Sequence, residues 1–206
     1  IIKSSKQPIY KEGGLAVLYG NLAPQGAIIK QAAASQHLLS HTGRAVVFAN
    51  MADLTAQIDS PDLDVSQDDI LVLRQIGPKG APGMPEAGLI PIPKKLAKQG
   101  VKDMVRISDG RMSGTAAGTI ILHVAPESAV GGPLSLVRTG DQIQLDVATR
   151  QLNMLVSAQE LERRRAEQPA VLSAELRGYE KLFYDHVLQA PDGVDFDFLQ
   201  AKKDGH

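Results

Sequence analysis

The sequence predicts a β-rich α+β domain whose sheet is curved or closed into a barrel-like form with flanking helices. Three observations predict this fold. Short aliphatic runs occupy most of the chain, helical patterns are few and lie in the middle and at the end, and strict βαβ alternation is not evident. The 206 residues suffice for one large or two small domains, and with only 4% aromatic residues the core must consist of Ile, Leu, Val and Ala.

Eight aliphatic runs predict strands, because they are rich in β-branched residues and bounded by Gly, Pro, Asn or Asp. They are residues 15–20, 26–30, 44–50, 69–77, 101–108, 118–126, 141–147 and 152–156. The last two runs alternate apolar and polar residues, which is typical of a hairpin with one solvated face.

Four segments carry helical signals. Residues 51–59 end at a Ser-Pro step, and residues 91–99 contain a proline near their first turn and are followed by glycine. Ser157 and Glu160 form a capping-box pattern that opens a charged helix. Residues 173–189 begin with a serine at the N-cap. Their apolar side chains share one helical face: Leu176, Tyr179, Leu182, Phe183 and Val187.

The chain divides best near residue 165. We expect residues 1–165 to form the barrel-like body and residues 166–206 to form a helical tail packed on it. The acidic end of that tail is expected to be held by its apolar residues Phe196, Phe198 and Leu199. Because the sequence starts at Ile1, without Met or the apolar core of a signal peptide, we expect a piece of a longer protein.

Composition excludes several classes of function. Lys and Arg number 22 against 23 Asp and Glu, so we expect neither a nucleic-acid nor a membrane partner. The absence of cysteine excludes disulfides, zinc–thiolate sites, thiol nucleophiles and an iron–sulfur cluster held by this chain's own thiols. It also favours a cytoplasmic location.

Standard catalytic and nucleotide-binding motifs are missing: there is no GxGxxG after a strand, no Walker lysine loop, no GxSxG and no HExxH. His37 and His41 have the spacing of two metal ligands on a helix, but HTGR is typical of a helix end or a loop. A structural or surface role is therefore favoured for both histidines. In ELERRRAEQ, the interleaved glutamates favour a solvated helix face over nucleic-acid recognition.

The segment GPKGAPGMPEAG (77–88) places one acid, Glu86, among glycines and prolines. Glycine lets a backbone approach a ligand closely and proline fixes the loop. A carboxylate there could bind a hard cation or a substrate hydroxyl. Taken alone, the segment favours an ordinary connector over a site.

The segment SDGRMSGTAAGT (108–119) lies between two predicted strands and contains Asp109, Arg111, Ser113 and Thr115. Loops at strand ends often carry catalytic groups, because a rigid sheet positions them. Arg111 is suited to lowering the pKa of a hydroxyl or to binding a carboxylate. No histidine lies beside Ser113 in sequence, so a triad is not indicated, and a polar turn remains the alternative.

Together with KEGGLAVLYGNLAPQGAIIK, these two segments occur in the order found in the dihydroxy-acid and phosphogluconate dehydratase family, and the chain resembles the C-terminal domain of those enzymes. The resemblance covers about residues 8–165. The wording GMPEAG and RMSGT is more similar to the sugar-acid (aldonate) dehydratases than to the branched-chain enzymes, whose equivalent stretch usually reads RFSG.

The resemblance implies roles for particular residues. Ser113 matches the catalytic base and also contacts substrate, Thr115 matches a substrate-binding position, and Glu86 matches a ligand in the Mg²⁺ shell. The family's cluster cysteines and two further Mg²⁺-binding side chains belong to an N-terminal domain that this chain does not contain. The stretch Gly20–Pro24 is also typical of the family, but we assign it no role.

The implied function is a hydro-lyase that converts 2,3-dihydroxy sugar acids to 2-keto-3-deoxy acids, using a serine base, Mg²⁺ and an iron–sulfur cluster as Lewis acid. The full-length protein is expected to be a homo-oligomer, and this chain alone is expected to be inactive. Two alternatives stay open. One is the dihydroxy-acid dehydratase of branched-chain amino-acid biosynthesis, and the other is a stand-alone barrel that binds without catalysing, since fold alone does not establish activity.

Overall fold

The computed structural model describes residues 3–4, 6–8, 12–168 and 176–200. The strands are β1 (Ala16–Leu18), β2 (Gly26–Ile29), β3 (Ser40–Phe48), β4 (Ile70–Leu73), β5 (Arg106–Ser108), β6 (Ile120–Ala125), β7 (Gln142–Asp146) and β8 (Gln151–Met154). The α-helices are α1 (Met51–Gln57), α2 (Lys94–Lys98), α3 (Ala158–Glu167) and α4 (Gly178–His186). Short 3₁₀ turns cover Gln31–Ala33, Gln36–Leu38, Ser128–Val130, Pro133–Leu136, Ala190–Asp192 and Asp197–Leu199.

All eight strands belong to one mixed sheet, in the order β1-β2-β6-β5-β4-β3-β7-β8. The two edge strands meet at a parallel bridge between Tyr19 and Gln151. The Tyr19 N–H donates to Arg150 O at 2.9 Å, and Leu152 N–H donates to Tyr19 O at 2.8 Å. The sheet is therefore nearly closed and barrel-shaped, which confirms the predicted fold class.

The centre of the sheet is parallel. Strand β3 pairs with β4, β4 with β5, and β5 with β6, all in the parallel sense, while the remaining pairs are antiparallel. Parallel neighbours need a crossover connection, and α1 and α2 lie in the first two crossovers. The third crossover, from β5 to β6, contains no helix and carries Ser113. The sequence analysis did not predict this parallel centre.

Two apolar clusters lie on opposite faces of the central strands. Every strand contributes to the larger one, which fills the barrel, whereas the smaller one packs α1 and α2 against β3 and β4. Strand β4 shows the division most clearly. Successive residues point to opposite faces, so Ile70 and Val72 join the barrel interior while Leu71 and Leu73 lie under the helices. This double burial explains why the strand is apolar throughout.

The histidine pair is divided between two elements. His37 lies in the Gln36–Leu38 turn, whereas His41 lies in β3, where its Nε2 is 2.8 Å from Asp68 O. Reading HTGR as a helix end or loop was wrong, because residues 40–44 pair with β7 and extend β3 beyond its predicted start. Within the described ranges, no three His, Asp or Glu side chains lie close enough together to hold a metal ion.

The C-terminal helices follow the sequence in part. Ser157 Oγ accepts a hydrogen bond from Glu160 N–H at 3.2 Å, so the predicted cap of α3 is confirmed. The last helix begins at Gly178 with Arg177 as its N-cap, so it starts later than predicted, and the predicted N-cap Ser173 lies outside the described residues. The predicted apolar face of α4 is covered only in part, since Tyr179 is 71% exposed whereas Val187 is buried. The boundary near residue 165 stays a prediction. None of the described helices is long and apolar enough to cross a membrane.

The aromatic residues of the tail contact one another. The ring of Phe183 meets that of Phe196 edge-on, with centroids 5.7 Å apart, and Phe196 stacks on Phe198 at 5.3 Å. Val187 and Phe196 form an isolated antiparallel bridge, and Val187 is buried. The 3₁₀ turn Ala190–Asp192 lies against β6. These contacts place the end of the described chain beside the strand that follows Ser113.

Candidate functional site

Two loops form the candidate site. The Glu86 loop (residues 77–93) follows β4, and the Ser113 loop (residues 109–119) connects β5 to β6. Arg111 joins them. Its backbone O accepts a hydrogen bond from Gly88 N–H at 2.7 Å, its Nε donates to Met84 O at 2.6 Å, and its Nη1 donates to Glu86 Oε1 at 2.7 Å. The structure therefore brings the predicted carboxylate and the Ser113 loop into direct contact.

Gly88 makes this close approach possible. A Cβ built on Gly88 would lie 2.7 Å from Arg111 O and would also collide with the side chain of Leu122. Only glycine fits there without displacing the Ser113 loop. The glycines of the Glu86 loop were predicted to admit a ligand, and at this position the close neighbour is the second loop.

The two predicted hydroxyls also come together. Ser113 Oγ lies 3.1 Å from Thr115 Oγ1, and Ala116 N–H closes the turn on Ser113 O at 3.0 Å. Lys30 Nζ donates to Gly114 O at 2.6 Å, so an ammonium group holds the backbone between the two hydroxyl residues. Among the described residues, Thr115 is the sole hydrogen-bond partner of Ser113 Oγ, so the serine has no basic neighbour of the triad kind.

Asp109 anchors the first end of the Ser113 loop. Its carboxylate is buried and accepts hydrogen bonds from Ile76 N–H at 3.1 Å, Ser128 N–H at 2.8 Å and Ser128 Oγ. Both oxygens are engaged within the chain. The sequence places Asp109 among the polar residues of a possible site, but in the structure it joins the segment after β4 to the 3₁₀ turn after β6.

Asp103 anchors the other end. Its carboxylate accepts hydrogen bonds from Thr119 N–H and Oγ1 and from Ser35 Oγ, and it pairs with Arg106 at 2.7 Å. Burial alone would raise the pKa of Asp103, but the hydrogen bonds from Ser35 and Thr119, with the charge of Arg106, outweigh burial and lower it. Arg106 also donates to Leu89 O and Ile90 O, so the same pair reaches the Glu86 loop.

Glu127 fixes the start of the Glu86 loop. Its buried carboxylate accepts hydrogen bonds from Lys79 N–H at 2.9 Å, Gly80 N–H at 2.9 Å and the Gln189 amide at 2.6 Å. Burial raises the pKa of Glu127 despite these hydrogen bonds, and the nearby charge of Asp109 raises it further. Sequence reasoning missed this residue. The one available signal was an acid two residues after the apolar strand β6.

His123 is a second residue that the sequence analysis missed. It lies in β6 with a φ of +54°, at the point where the pairing of β2 and β6 shifts register, and its N–H donates to Gly110 O at 3.0 Å. Its Nδ1 is buried and contacts no hydrogen-bond partner among the described residues. Burial, followed by the charge of Arg111, lowers the pKa of His123 and keeps the imidazole neutral at pH 7.

The donor set fits one part of a Mg²⁺ shell. The Glu86 side chain is half exposed, and one of its two oxygens accepts no hydrogen bond from the described residues. Hard cations prefer carboxylate oxygens, so Glu86 could hold Mg²⁺ as a single ligand. Among the described residues, no two further His, Asp or Glu side chains lie close enough to complete the shell with it. The chain has no cysteine and offers no thiolate to an iron–sulfur cluster.

A family model and individual relatives place similar sequences in the same group of enzymes. The family model of the dihydroxy-acid/6-phosphogluconate dehydratase C-terminal region matches residues 1–194. The chain is 53% identical over 204 residues to the 6-deoxy-6-sulfo-D-gluconate dehydratase of Pseudomonas putida, covering 98% of this chain and 35% of that protein. It is 48% identical over 205 residues to the L-arabonate dehydratase of Azospirillum brasilense, covering 97% of this chain and 35% of the relative.

The similarity extends to a second kind of dehydratase. The dihydroxy-acid dehydratase of Archaeoglobus fulgidus is 42% identical over 195 residues, covering 94% of this chain and 35% of that enzyme. The chain thus spans about a third of the length of each of these three relatives. What the names of these relatives say of the whole enzymes is therefore not carried over to these residues alone.

Proposed function

Since the chain belongs to the family of dihydroxy-acid/6-phosphogluconate dehydratase C-terminal domains, we propose that it is the C-terminal part of a hydro-lyase that acts on sugar acids. The choice of sugar acids follows from the identities. Two relatives named for sugar-acid substrates are 53% and 48% identical to the chain, against 42% for the dihydroxy-acid dehydratase.

One observation carries the assignment of the site. Arg111 joins the Glu86 loop to the Ser113 loop through two side-chain hydrogen bonds and one backbone hydrogen bond. A carboxylate suited to a hard cation and a pair of hydroxyls therefore lie on two loops that are fixed to each other. The buried anchors Asp103, Asp109 and Glu127 hold these loops to the barrel. This is the arrangement that positioned acid–base chemistry requires.

The reaction removes a weakly acidic proton from C2 of a 2,3-dihydroxy acid and expels the hydroxyl group from C3. We assign proton removal to Ser113 Oγ. A serine hydroxyl is a weak base at its ordinary pKa, so Ser113 must act as an alkoxide that nearby positive charge stabilises. Thr115 would orient Ser113 Oγ through the contact between their hydroxyls, and Thr115 would also contact substrate.

Glu86 would hold Mg²⁺ through its carboxylate. When bound, Mg²⁺ would supply positive charge beside the substrate, and an iron–sulfur cluster held outside this chain would supply Lewis acidity. The proton on Ser113 and the expelled hydroxide leave together as water. The enol that remains tautomerises to the 2-keto-3-deoxy acid. Because the chain holds neither cluster thiolates nor a complete metal shell among its described residues, we propose that it is inactive without an N-terminal domain.

The proposal is tested with the full-length protein, loaded with iron–sulfur cluster and Mg²⁺. We expect 2-keto acid to form from a panel of aldonates and at most slowly from 2,3-dihydroxy-isovalerate. The reverse preference would identify the branched-chain enzyme, which the 42% identity to the dihydroxy-acid dehydratase keeps as the second candidate. Failure to convert either substrate by a cluster-loaded protein would contradict both and favour a binding module.

A further inference from the structure

The carboxylate that we assign to Mg²⁺ already has a cationic partner. Arg111 Nη1 lies 2.7 Å from Glu86 Oε1, and the two side chains are 43% and 48% exposed. A divalent cation bound at the other oxygen of Glu86 would stand beside this guanidinium group, and two positive groups on one carboxylate repel each other. Metal binding at Glu86 must therefore proceed against the charge of Arg111.

Arg111 does not depend on Glu86 for its position. Its Nε donates to Met84 O at 2.6 Å, and its backbone O accepts a hydrogen bond from Gly88 N–H at 2.7 Å. Met84 is buried, so that carbonyl belongs to a fixed part of the Glu86 loop. The guanidinium can thus give up one of its contacts while the two loops remain joined.

The ion pair is also weak enough to exchange. Half-exposed pairs contribute little net stability, because water screens them and ordering two long side chains costs entropy. By contrast, the neighbouring Asp103–Arg106 pair is only 9% and 5% exposed and has no such freedom. The pair at Glu86 is therefore the one in this region that a ligand can open without unfolding its surroundings.

We propose that Arg111 occupies the metal-binding carboxylate of Glu86 until a divalent cation displaces it. This inference rests on the proposed function, which makes Glu86 a Mg²⁺ ligand. Arg111 then acts as a positioning residue. It holds Glu86 against the Ser113 loop before the metal arrives, and it lowers the apparent affinity for Mg²⁺ because its positive charge opposes the cation until the contact opens.

The test measures Mg²⁺ binding to chelator-treated full-length protein by isothermal titration calorimetry. Arg111→Gln removes the competitor, and we expect the Mg²⁺ dissociation constant to fall by about two- to fivefold. The matched control is Lys79→Gln, which removes one positive charge from the Glu86 loop itself. Lys79 Nζ lies over the ring of Tyr184 and not against Glu86, so this variant should bind Mg²⁺ like the wild type.

A double-mutant cycle separates the proposed metal role of Glu86 from the proposed displacement of Arg111. Glu86→Gln should weaken Mg²⁺ binding, and adding Arg111→Gln to it should cause no tightening. If Glu86→Gln leaves binding unchanged, the proposed metal role of Glu86 fails. If Glu86→Gln weakens binding but Arg111→Gln does not tighten it, or tightens it equally in both backgrounds, only the displacement of Arg111 is overturned.

Should circular dichroism show that Arg111→Gln is misfolded, Arg111→Lys answers the same question. Lysine keeps the charge but lacks the planar fork that reaches Met84 O and Glu86 together. Tighter Mg²⁺ binding than in the wild type would support competition by the fork, and equal or weaker binding would contradict it.

Discussion

The molecule contains two kinds of charged pair within one connected region. Beneath the loops, Asp103 and Arg106 are 9% and 5% exposed, and the carboxylate has partners on three segments of the chain. On the loops, Glu86 and Arg111 are 48% and 43% exposed, and one carboxylate oxygen of Glu86 has no partner among the described residues. Together with the loop anchors Asp109 and Glu127, the Asp103–Arg106 pair forms what we call the buried frame, whose hydrogen bonds are made within this chain. The loop surface keeps a carboxylate oxygen without a partner among the described residues, as a site completed by other groups requires.

The largest expected effect is that of breaking the frame. Asp103→Asn leaves Arg106 buried without its carboxylate and sets an amide donor against Thr119 N–H. We expect a loss of about 3–5 kcal/mol in the free energy of unfolding, measured by urea denaturation. The matched control, Glu86→Gln, removes a carboxylate from the exposed pair and should cost at most about 1 kcal/mol. Equal costs would abolish the distinction between frame and surface.

The pH dependence sharpens this comparison. The pKa of Asp103 is lowered, because its hydrogen bonds and Arg106 outweigh the opposing effect of burial. Its ionised form therefore stabilises the fold above the unfolded pKa of about 3.9, and this contribution is lost as pH falls through the lower folded pKa. The difference in stability between wild type and Asp103→Asn should shrink in that acid range. A difference that grows on acidification would contradict the assignment.

An intermediate effect is expected at Glu127. Glu127→Gln places an amide donor opposite the N–H groups of Lys79 and Gly80, so at least one hydrogen bond at the start of the Glu86 loop is lost. We expect a loss of about 1–3 kcal/mol in the free energy of unfolding, with faster hydrogen exchange at those two amides. The exposed acid Glu180 provides the control, because Glu180→Gln should change neither quantity. Unaltered exchange at Lys79 and Gly80 would show that Glu127 does not anchor the loop.

The smallest effect on stability is expected at the loop surface itself. Ser113→Ala removes a hydroxyl that contacts only Thr115 among the described side chains. The free energy of unfolding should change by no more than about 0.5 kcal/mol, as judged by the same urea denaturation. A loss comparable to that of Glu127→Gln would mean that Ser113 belongs to the buried frame and that its hydroxyl group serves folding.

The local signals in the sequence were sufficient to predict the barrel-like fold, the approximate positions of the strands and the helix cap at Ser157. They were insufficient for the parallel centre, because α1 and α2 are only 7 and 5 residues long and the β5–β6 crossover has no helix. The early start of β3 depends on pairing with β7, about a hundred residues away, and no local pattern records that contact. Burial of Glu127 and His123 is equally non-local.

The candidate site could likewise be predicted from the sequence only in part. The composition of the two loops drew attention to Glu86, Arg111, Ser113 and Thr115, and the family resemblance gave three of them roles. That Arg111 bonds to Glu86 and Met84 could not be read from the sequence, because the partners are 25 and 27 residues apart and meet only when β4 and β5 pair. The roles of Ser113, Thr115 and Glu86 stay predictions.

The most direct test of the proposed function is the turnover of an aldonate by full-length protein carrying Ser113→Ala. Cluster content, Mg²⁺ binding and melting temperature should match the wild type, because Ser113 is neither a metal ligand nor part of the buried frame. We expect formation of the 2-keto-3-deoxy acid to fall to the uncatalysed level, because no other group among those we assign removes the C2 proton. Turnover near the wild-type rate in such a fully loaded variant would contradict the assignment of Ser113 as the base.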